Sequence, residues 1–562
     1  MTRKISYIIA LGAALALSSC GKKLGKFSSE YFTVNPNPLE VVGEQVPSTI
    51  SARIPEKFFV RNAEVTVTPV LVYNGTETTS APYTFQGEKV RGNAPVISYE
   101  NGGNVSIPAN FLYQPEMANS ELQLDFAVTQ GSKQYVLPRV TVATGVVATA
   151  TLANVKSAAP AYAADAFQRV INNRYTANIM FLINQANIRA SELKTDAMVE
   201  LRNLIIAAAG DSAQVIRELN IQSYASPDGG IDINERLAAQ RESATTSYLR
   251  DQLAKDKITE FGELTSQFTA EDWEGFQLLV AQSNIQDKDL ILSVLSMYKD
   301  PEQREREIRN LSNVFEQLAD EILPQLRYSR ITASIDVVGR SDEEIMALAT
   351  SNPKQLSVEE ILYAGTLTDD NATRLAIYEA AANQYSNDYR TWNNLGAAQF
   401  AAGNYNGAQK SFNKAMSLSG AAAEPQMNAG LCQLADGNYS KAHQLFGGAA
   451  GLNELNDALG LFYLKTGDNA AAARAFGNSK SNNAALAQIL TKDYSKARQT
   501  LASIDNPDAT TYYLMAVLGA RTNNEQMLTT NLRQAVRLDS SLADRARQDL
   551  EFSGFNLSRA LN

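Results

Sequence analysis

Histidine, cysteine and tryptophan are nearly missing from this 562-residue chain, which has one His (His443), two Cys (Cys20 and Cys432) and two Trp. A structural zinc site needs about three or four nitrogen or sulfur ligands, and a Ser-His or Cys-His nucleophile pair needs a placed imidazole. Most common enzyme chemistries are therefore excluded at the outset, and no metal or other cofactor is expected. Excess positive charge is also absent, with 50 Lys+Arg against 60 Asp+Glu. Such a surface repels phosphate backbones, which excludes nucleic-acid binding outside a local basic patch. Past the N-terminus no 18 residues in a row are apolar, so nothing there spans a bilayer as a helix. What is present is ordinary folded protein: 44% hydrophobic and 20% charged residues, with 32 Gly and 17 Pro. At roughly 100–200 residues per domain, the length calls for several domains, each with its own core.

The first residues read as an address. Arg3 and Lys4 precede an apolar run over 5–17, followed by Ser18-Ser19-Cys20. A basic start, a short apolar core and small residues at the end predict a secretory signal over 1–19. The sequence Leu17-Ser18-Ser19-Cys20 resembles a bacterial lipobox. That resemblance implies that Cys20 becomes the first mature residue and carries acyl chains such as palmitate, with 20–30 as a tether. Acyl chains hold a protein at a membrane at about 0.8 kcal/mol per buried methylene. The alternative is a plain signal peptide with an incidental cysteine. Gly21 is not the Asp that, by the same resemblance, favours the inner membrane, and 21–26 lacks a surface-export acidic cluster. The implied location is the cell outer membrane, facing the periplasm. Cys432 would then have no disulfide partner.

From 31 to 150 the chain reads as strands. Val65 and Val67 alternate before the turn Asn74-Gly75, and Leu122, Leu124, Phe126 and Val128 share one face before Gly131. Period-two spacing broken by Gly/Asn turns predicts an antiparallel β-sandwich. Pro69 and Pro138 are expected on edge strands or at bulges. The module reads as a spacer or docking unit, with carbohydrate binding as a rival, and 144–164 as its exit.

The next segment, 165–340, has α/β order. Strand patterns at 175–182 and 215–223 flank a helix over 195–209. A loop, Ala225-Ser226-Pro227-Asp228-Gly229, then leads into a helix that continues to Leu253. Charged helical pattern fills an insertion at about 265–323, and Ile331, Ala333 and Ile335 alternate again in a last strand.

This segment resembles the OmpA-like domain, which grips the peptide stem of peptidoglycan. Asn234, Leu237 and Arg241 keep the family spacing, and Gly229 sits where its loop glycine belongs. The loop variant and the insertion are similar to those of Bacteroidetes outer-membrane proteins. The resemblance implies that Arg241 holds a stem-peptide carboxylate, a task suited to a bidentate guanidinium, and that Asn234 braces the loop. The family's ligand-binding Asp falls at Ser226 here, with Asp228 as a substitute two places on. The alternative keeps the fold and loses the ligand, with Arg241 pairing a helix carboxylate such as Asp232 or Glu235.

The final third repeats. Tyr378, Phe412 and Phe446 are 34 residues apart, as are Gly396 and Gly430, Gly403 and Gly437, and Ala408 and Ala442; Gly460, Gly467 and Phe476 follow at a shift of 30. This period resembles the tetratricopeptide repeat and implies an all-α solenoid over 357–555, with each aromatic filling the gap to the next repeat. Asn393, Asn394, Asn428 and Lys465 lie on first helices, where family partners bind, and are the candidate partner-binding residues. His443 is expected at the surface or in packing. A purely architectural spacer is the rival reading.

The composite is a multidomain, lipid-anchored scaffold that contacts peptidoglycan and binds a protein partner in the repeat groove. An envelope or appendage-assembly lipoprotein with a ligand-free OmpA-like domain is the alternative. A cell-wall enzyme is a third reading. It would need carboxylate pairs such as Glu271-Asp272 or Asp369-Asp370, and these sit on expected surface turns or helix starts.

Overall fold

A computed structural model gives the structure of the chain. It describes residues 23–561 apart from 228 and 311, with the side chains of 308 and 312–314 also outside the description. Cys20 and the signal segment therefore lie outside the described residues. The described chain divides into two compact units: residues up to 164 together with 368 onward, and residues 165–367.

In the first unit the strands are β1 (Phe32–Asn35), β2 (Leu39–Glu40), β3 (Gln45–Ile54), β4 (Ala63–Tyr73), β5 (Thr76–Thr79), β6 (Tyr83–Gly87), β7 (Val96–Ile97), β8 (Gly103–Leu112), β9 (Ser120–Gln130), β10 (Lys133–Thr144) and β11 (Val146–Val147). One sheet has the order β1-β3-β8. A larger one runs β10-β9-β4-β6-β7 with β5 beside β4, and β11 pairs β2. The inward residues of both larger sheets, among them Ile50, Val65, Phe85, Ile107, Leu124 and Phe126, form one apolar core. Pro138 falls at a bulge of β10, between Leu137 and Val140. Pro69 does not lie on an edge strand, as expected from sequence, because β4 is interior. It sits where β4 changes partner from β6 (64–67) to β5 (70–73). Its carbonyl accepts from Ser80 N at 2.9 Å. In an antiparallel strand the nitrogen faces the same side as the carbonyl, so the missing N–H falls in the gap between partners.

The second unit carries β12 (Val170–Met180), α1 (Asp196–Ala209), β13 (Gln214–Tyr224), α2 (Ile231–Lys255) and β14 (Glu263–Thr269). The helices α3 (Trp273–Gln282), α4 (Lys288–Met297), α5 (Pro301–Asn310) and α6 (Ser312–Gln317) follow, then β15 (Tyr328–Val338), α7 (Asp342–Ser351) and α8 (Val358–Ala364). The sheet order is β12-β15-β13-β14, with β13 and β14 parallel and the other pairs antiparallel. Ile331, Ala333 and Ile335 alternate on one face and share a core with Met198, Leu201 and Ile205 of α1 and Leu249 and Leu253 of α2. The other face is polar: Asp336 accepts from Asn172 Nδ2 at 2.7 Å and Arg217 Nε at 2.5 Å. The insertion begins later than the sequence suggested, because 263–269 is a strand paired to β13. Helices α3–α6 and the turns up to Leu326 then enclose a core of their own around Phe276, Val280, Ile291 and Leu318.

The rest of the first unit is helical: α9 (Asn371–Gln384), α10 (Tyr389–Ala401), α11 (Tyr405–Ser419), α12 (Ala423–Ala435), α13 (Tyr439–Gly447), α14 (Leu455–Thr466), α15 (Asn469–Phe476), α16 (Asn482–Leu490), α17 (Tyr494–Ala502), α18 (Ala509–Arg521), α19 (Glu525–Leu538), α20 (Leu542–Gln548) and α21 (Ser558–Leu561). Consecutive helices pair from α10–α11 through α18–α19 and stack on their neighbours. Helix α8, expected to open the repeats, instead groups with the second unit, where Glu360 pairs with Arg340 at 2.7 Å. Asp370, Asp388, Asn404, Asp468, Ser481, Asp493, Asp508 and Asn524 each accept from a backbone N–H in the first turn of the helix that follows. Such caps are worth about 1 kcal/mol each.

Within a hairpin the aromatic of the second helix sits on the glycine of the first. A Cβ at Gly396, Gly430 or Gly460 would lie 2.6–2.7 Å from Phe412, Phe446 or Phe476. The aromatic thus closes its own repeat, whereas the sequence reading had it bridging to the next. A residue of positive φ follows each first helix: Gly403 (φ 80), Gly437 (φ 76), Gly467 (φ 88), Lys492 (φ 65) and Asn523 (φ 53).

Candidate functional site

Nine residues before each of those positive-φ residues stands Asn394, Asn428, Ala458, Asn483 or Leu514. The three asparagines do the same work. Asn428 Oδ1 accepts from Ala161 N at 2.8 Å, while its Nδ2 donates to Ala161 O at 2.7 Å. Asn394 brackets Ala163 in the same way at 2.8 and 3.0 Å. Asn483 brackets Asn154 at 2.9 and 3.0 Å. Each carboxamide therefore pairs with both the N–H and the C=O of one residue, as a neighbouring strand would.

The bound segment is the exit of the β module, 153–163, lying along the first helices of the repeats. Ala161 and Ala163, two apart in an extended chain, meet asparagines of consecutive repeats, and Asn154 meets one further along. The segment thus runs against the order of the repeats. Asn393 Nδ2 adds a bond to Ala161 O at 3.0 Å, and Asn428 Nδ2 also donates to Asn393 Oδ1 at 3.0 Å. All four asparagines are buried, Asn393 and Asn428 completely. Ala153, Val155 and Ala161 belong to the same apolar core as the repeats. Three of the four sequence-nominated partner residues are therefore engaged by the chain itself. Lys465, the fourth, lies half-buried near the end of α14 and contributes nothing to this ladder. Asn483 was missed because Lys492 replaces the glycine that marks the register of the earlier repeats.

The remaining chemistry-bearing residues of the repeats are packed. Burial pushes the Cys432 thiol up to about 12. The His443 ring stacks on Phe462 with centroids 5.1 Å apart.

In the second unit, three of the residues nominated for a stem peptide, Ser226, Asn234 and Arg241, lie between the end of β13 and the first half of α2. Arg241 is 1% exposed. Its Nε donates to Gln185 O at 3.0 Å, Nη1 to Tyr224 O at 2.8 Å and Nη2 to Leu182 O at 3.3 Å. The guanidinium also lies 5.2 Å from the Phe181 ring centroid. Asn234 Nδ2 donates to Gly229 O at 2.8 Å and to Glu271 Oε1 at 3.0 Å, so it does brace the loop. Ser226 Oγ accepts from Arg327 Nε at 3.0 Å. Asp228 lies outside the described residues.

Glu271 and Asp272, expected at the surface, are buried at 8% and 7% exposure. Glu271 also accepts from Trp273 Nε1 at 2.9 Å. Asp272 caps α3 through Gly275 N and accepts from Tyr328 Oη at 2.9 Å. Burial, together with the Asp272 carboxylate, pushes the Tyr328 hydroxyl well above the usual phenol range. Both carboxylates are tied into the fold by these bonds. Asp370 caps α9, as expected. Among the described residues no three His, Cys, Asp or Glu are placed to share a metal ion, and no helix is long and apolar enough to cross a membrane.

No protein-family model matches the chain. No curated protein matches it either. Solved structures that resemble it include a tetratricopeptide-repeat protein from Parabacteroides merdae, 14% identical, covering 39% of this chain and 91% of that one with a TM-score of 0.30. The Pseudomonas aeruginosa pilF protein is 17% identical over 38% of this chain and 99% of its own, with a TM-score of 0.28. YrrB, described as a tetratricopeptide-repeat protein with an unusual peptide-binding site, is 21% identical over 30% and 97%, with a TM-score of 0.24. Scores this low carry no argument. The C-terminal repeat region stands on its own hairpins and its 34-residue period.

Proposed function

We propose that the protein is a non-catalytic scaffold of the cell envelope whose helical repeats hold extended polypeptide. The observation that carries this reading is the ladder of Asn394, Asn428 and Asn483, each pairing with both backbone groups of one peptide residue. Tethering is the mechanism: modules on one chain raise the local concentration of whatever each one holds. The lipobox-like sequence at Cys20 supplies the anchor in this reading and places the body on the periplasmic side of the outer membrane.

For the second unit, the strand and helix order and the spacing of Asn234, Leu237 and Arg241 support an OmpA-like domain. Two readings of its role follow. Capture of a peptidoglycan stem needs a guanidinium presented to a carboxylate. Arg241 is instead buried against Phe181 and donates to the backbone carbonyls of Leu182, Gln185 and Tyr224, while Ser226 stands in place of the family carboxylate and Asp228, two places on, lies outside the described residues. The burial of Arg241 favours the assembly-scaffold reading, in which the OmpA-like fold is kept and its ligand binding is lost.

The test is sedimentation of the full chain with purified sacculi beside Arg241→Lys. The scaffold reading expects neither to be retained above a control protein. Retention of the wild type that the variant loses would return the domain to the cell wall. Loss of membrane association in Cys20→Ala checks the anchor.

A further inference from the structure

Segment 153–163 is held by the repeats as a ligand is held, through its backbone and through two small side chains. Ladder contacts to Ala161 and Ala163 select an extended chain, and select no side chain beyond size. Both alanines are almost completely buried, at 1% and 3% exposure, so a larger residue at either place would overfill the groove. Between the two clamped ends the ladder is interrupted. Helix α14 presents Ala458 where α10, α12 and α16 present asparagine, and the peptide there includes Pro160, which has no N–H to offer. Lys156, Ser157 and Ala159 are exposed. An open cavity of about 610 Å³ borders Ala159, Asn456, Asp457 and Ser479 at this gap.

We propose that the segment is an in-cis stand-in that closes the groove, and that the groove's other ligand is a polypeptide segment of the same chemistry. That ligand is an extended strand with Ala, Gly or Ser at two alternating positions, running against the order of the repeats and entering at the Ala458 gap. The proposal rests on the scaffold reading and adds the class of partner and its competitor. The covalent segment acts at an effective concentration on the order of millimolar. A free peptide at about 10 µM is therefore outcompeted on the order of a hundredfold until the in-cis strand is weakened.

The probe is a synthetic peptide of residues 151–166 carrying a fluorophore, titrated by anisotropy into the full chain. In Ala161→Pro/Ala163→Pro the in-cis strand loses the two N–H groups that Asn428 and Asn394 accept, while the groove is untouched. This variant should bind the peptide at least tenfold more tightly than the wild type. Adding Asn394→Ala and Asn428→Ala should abolish the gain. A proline variant with wild-type far-ultraviolet circular dichroism that does not bind, or a wild type that binds equally well, overturns the proposal. Hydrogen exchange of the unmodified chain gives a second reading that needs no variant. The amides of Ala161 and Ala163 should exchange through an opening that leaves α10 and α12 protected. Exchange only together with those helices would make the segment a fixed part of the core and defeat the idea. Neither failure touches the sacculus experiment, so the scaffold reading is judged separately.

Discussion

Gly430→Ala is the sharpest test of how the repeats are built. An added Cβ would sit 2.6 Å from Phe446 Cε1 and 2.8 Å from Cδ1, whereas ordinary contacts begin near 3.4 Å. One side must give by roughly 0.8 Å. Phe446 is 2% exposed and packs edge-on against Phe462, so its ring has nowhere to withdraw. Overpacking of this kind costs about 1–3 kcal/mol. Alanine also gains about 1 kcal/mol of helix propensity over glycine, which offsets part of the cost. The net expectation is destabilisation of up to about 2 kcal/mol, confined to α12 and α13. Gly447→Ala is the control: it lies in α13 with nothing within 4 Å of the new Cβ, so only the propensity gain acts. The assay is hydrogen exchange of α12 and α13 in the full chain, which reads local opening free energies. Adding Phe446→Leu to Gly430→Ala should recover much of the loss. If Gly430→Ala protects these helices as well as Gly447→Ala does, the glycine–phenylalanine lock is wrong.

Two further predictions concern charge. Hydrogen bonds from Arg202 (2.6 and 3.0 Å) and Gln252 (3.0 Å) hold the Asp256 carboxyl at about 2. A depressed folded-state value stabilises above the unfolded carboxylate range near 3.9 and is lost as pH falls towards 2. Asp256→Asn should therefore flatten the acid-unfolding curve of the second unit between about pH 4 and 2; an unchanged curve would refute the pairing. Arg521 and Glu551 form a mostly buried pair at 2.6 Å, with Glu551 also accepting from Thr149. Arg521→Met strands that carboxylate and should cost about 3–5 kcal/mol in urea unfolding, whereas Arg521→Met/Glu551→Leu should cost much less.

Much of the fold was legible because it is written in short periods. Alternation in β4 and β9, and the 34-residue spacing of Gly396 and Gly430 with their phenylalanines, survive in the structure. The signal failed where another residue took over a glycine's job. Lys492 and Asn523 adopt the positive φ of Gly403 and Gly437, and with the glycine gone the equivalence of Asn483 to Asn394 and Asn428 was hidden. Strand β14 was missed because its residues are mostly exposed or half-buried and carry no apolar alternation. The fate of Arg241 was beyond local reading: two of its three carbonyl acceptors, Leu182 and Gln185, come from more than fifty residues upstream. The peptide in the groove was hidden for the same reason, since 161 and 428 are joined by nothing in their local sequence.

The two findings in the repeats depend on one another. Asn428 and Gly430 are two residues apart on α12, about 200° around a helix, and so point to opposite sides. One side meets Phe446 of the partner helix and the other meets the peptide. The ring seated on bare backbone fixes the rotation of α12, and that rotation aims the carboxamide at Ala161. The same offset holds for Asn394 and Gly396, and for Asn483 and Ala485. In α14 the offset persists with Ala458 and Gly460, where packing is kept and the carboxamide is gone. Helix packing thus recurs through α10, α12 and α14, while the carboxamide is present in α10, α12 and α16 and gives way to Ala458 in α14 and Leu514 in α18. That is the pattern expected if the asparagines serve a ligand and not the stability of the solenoid.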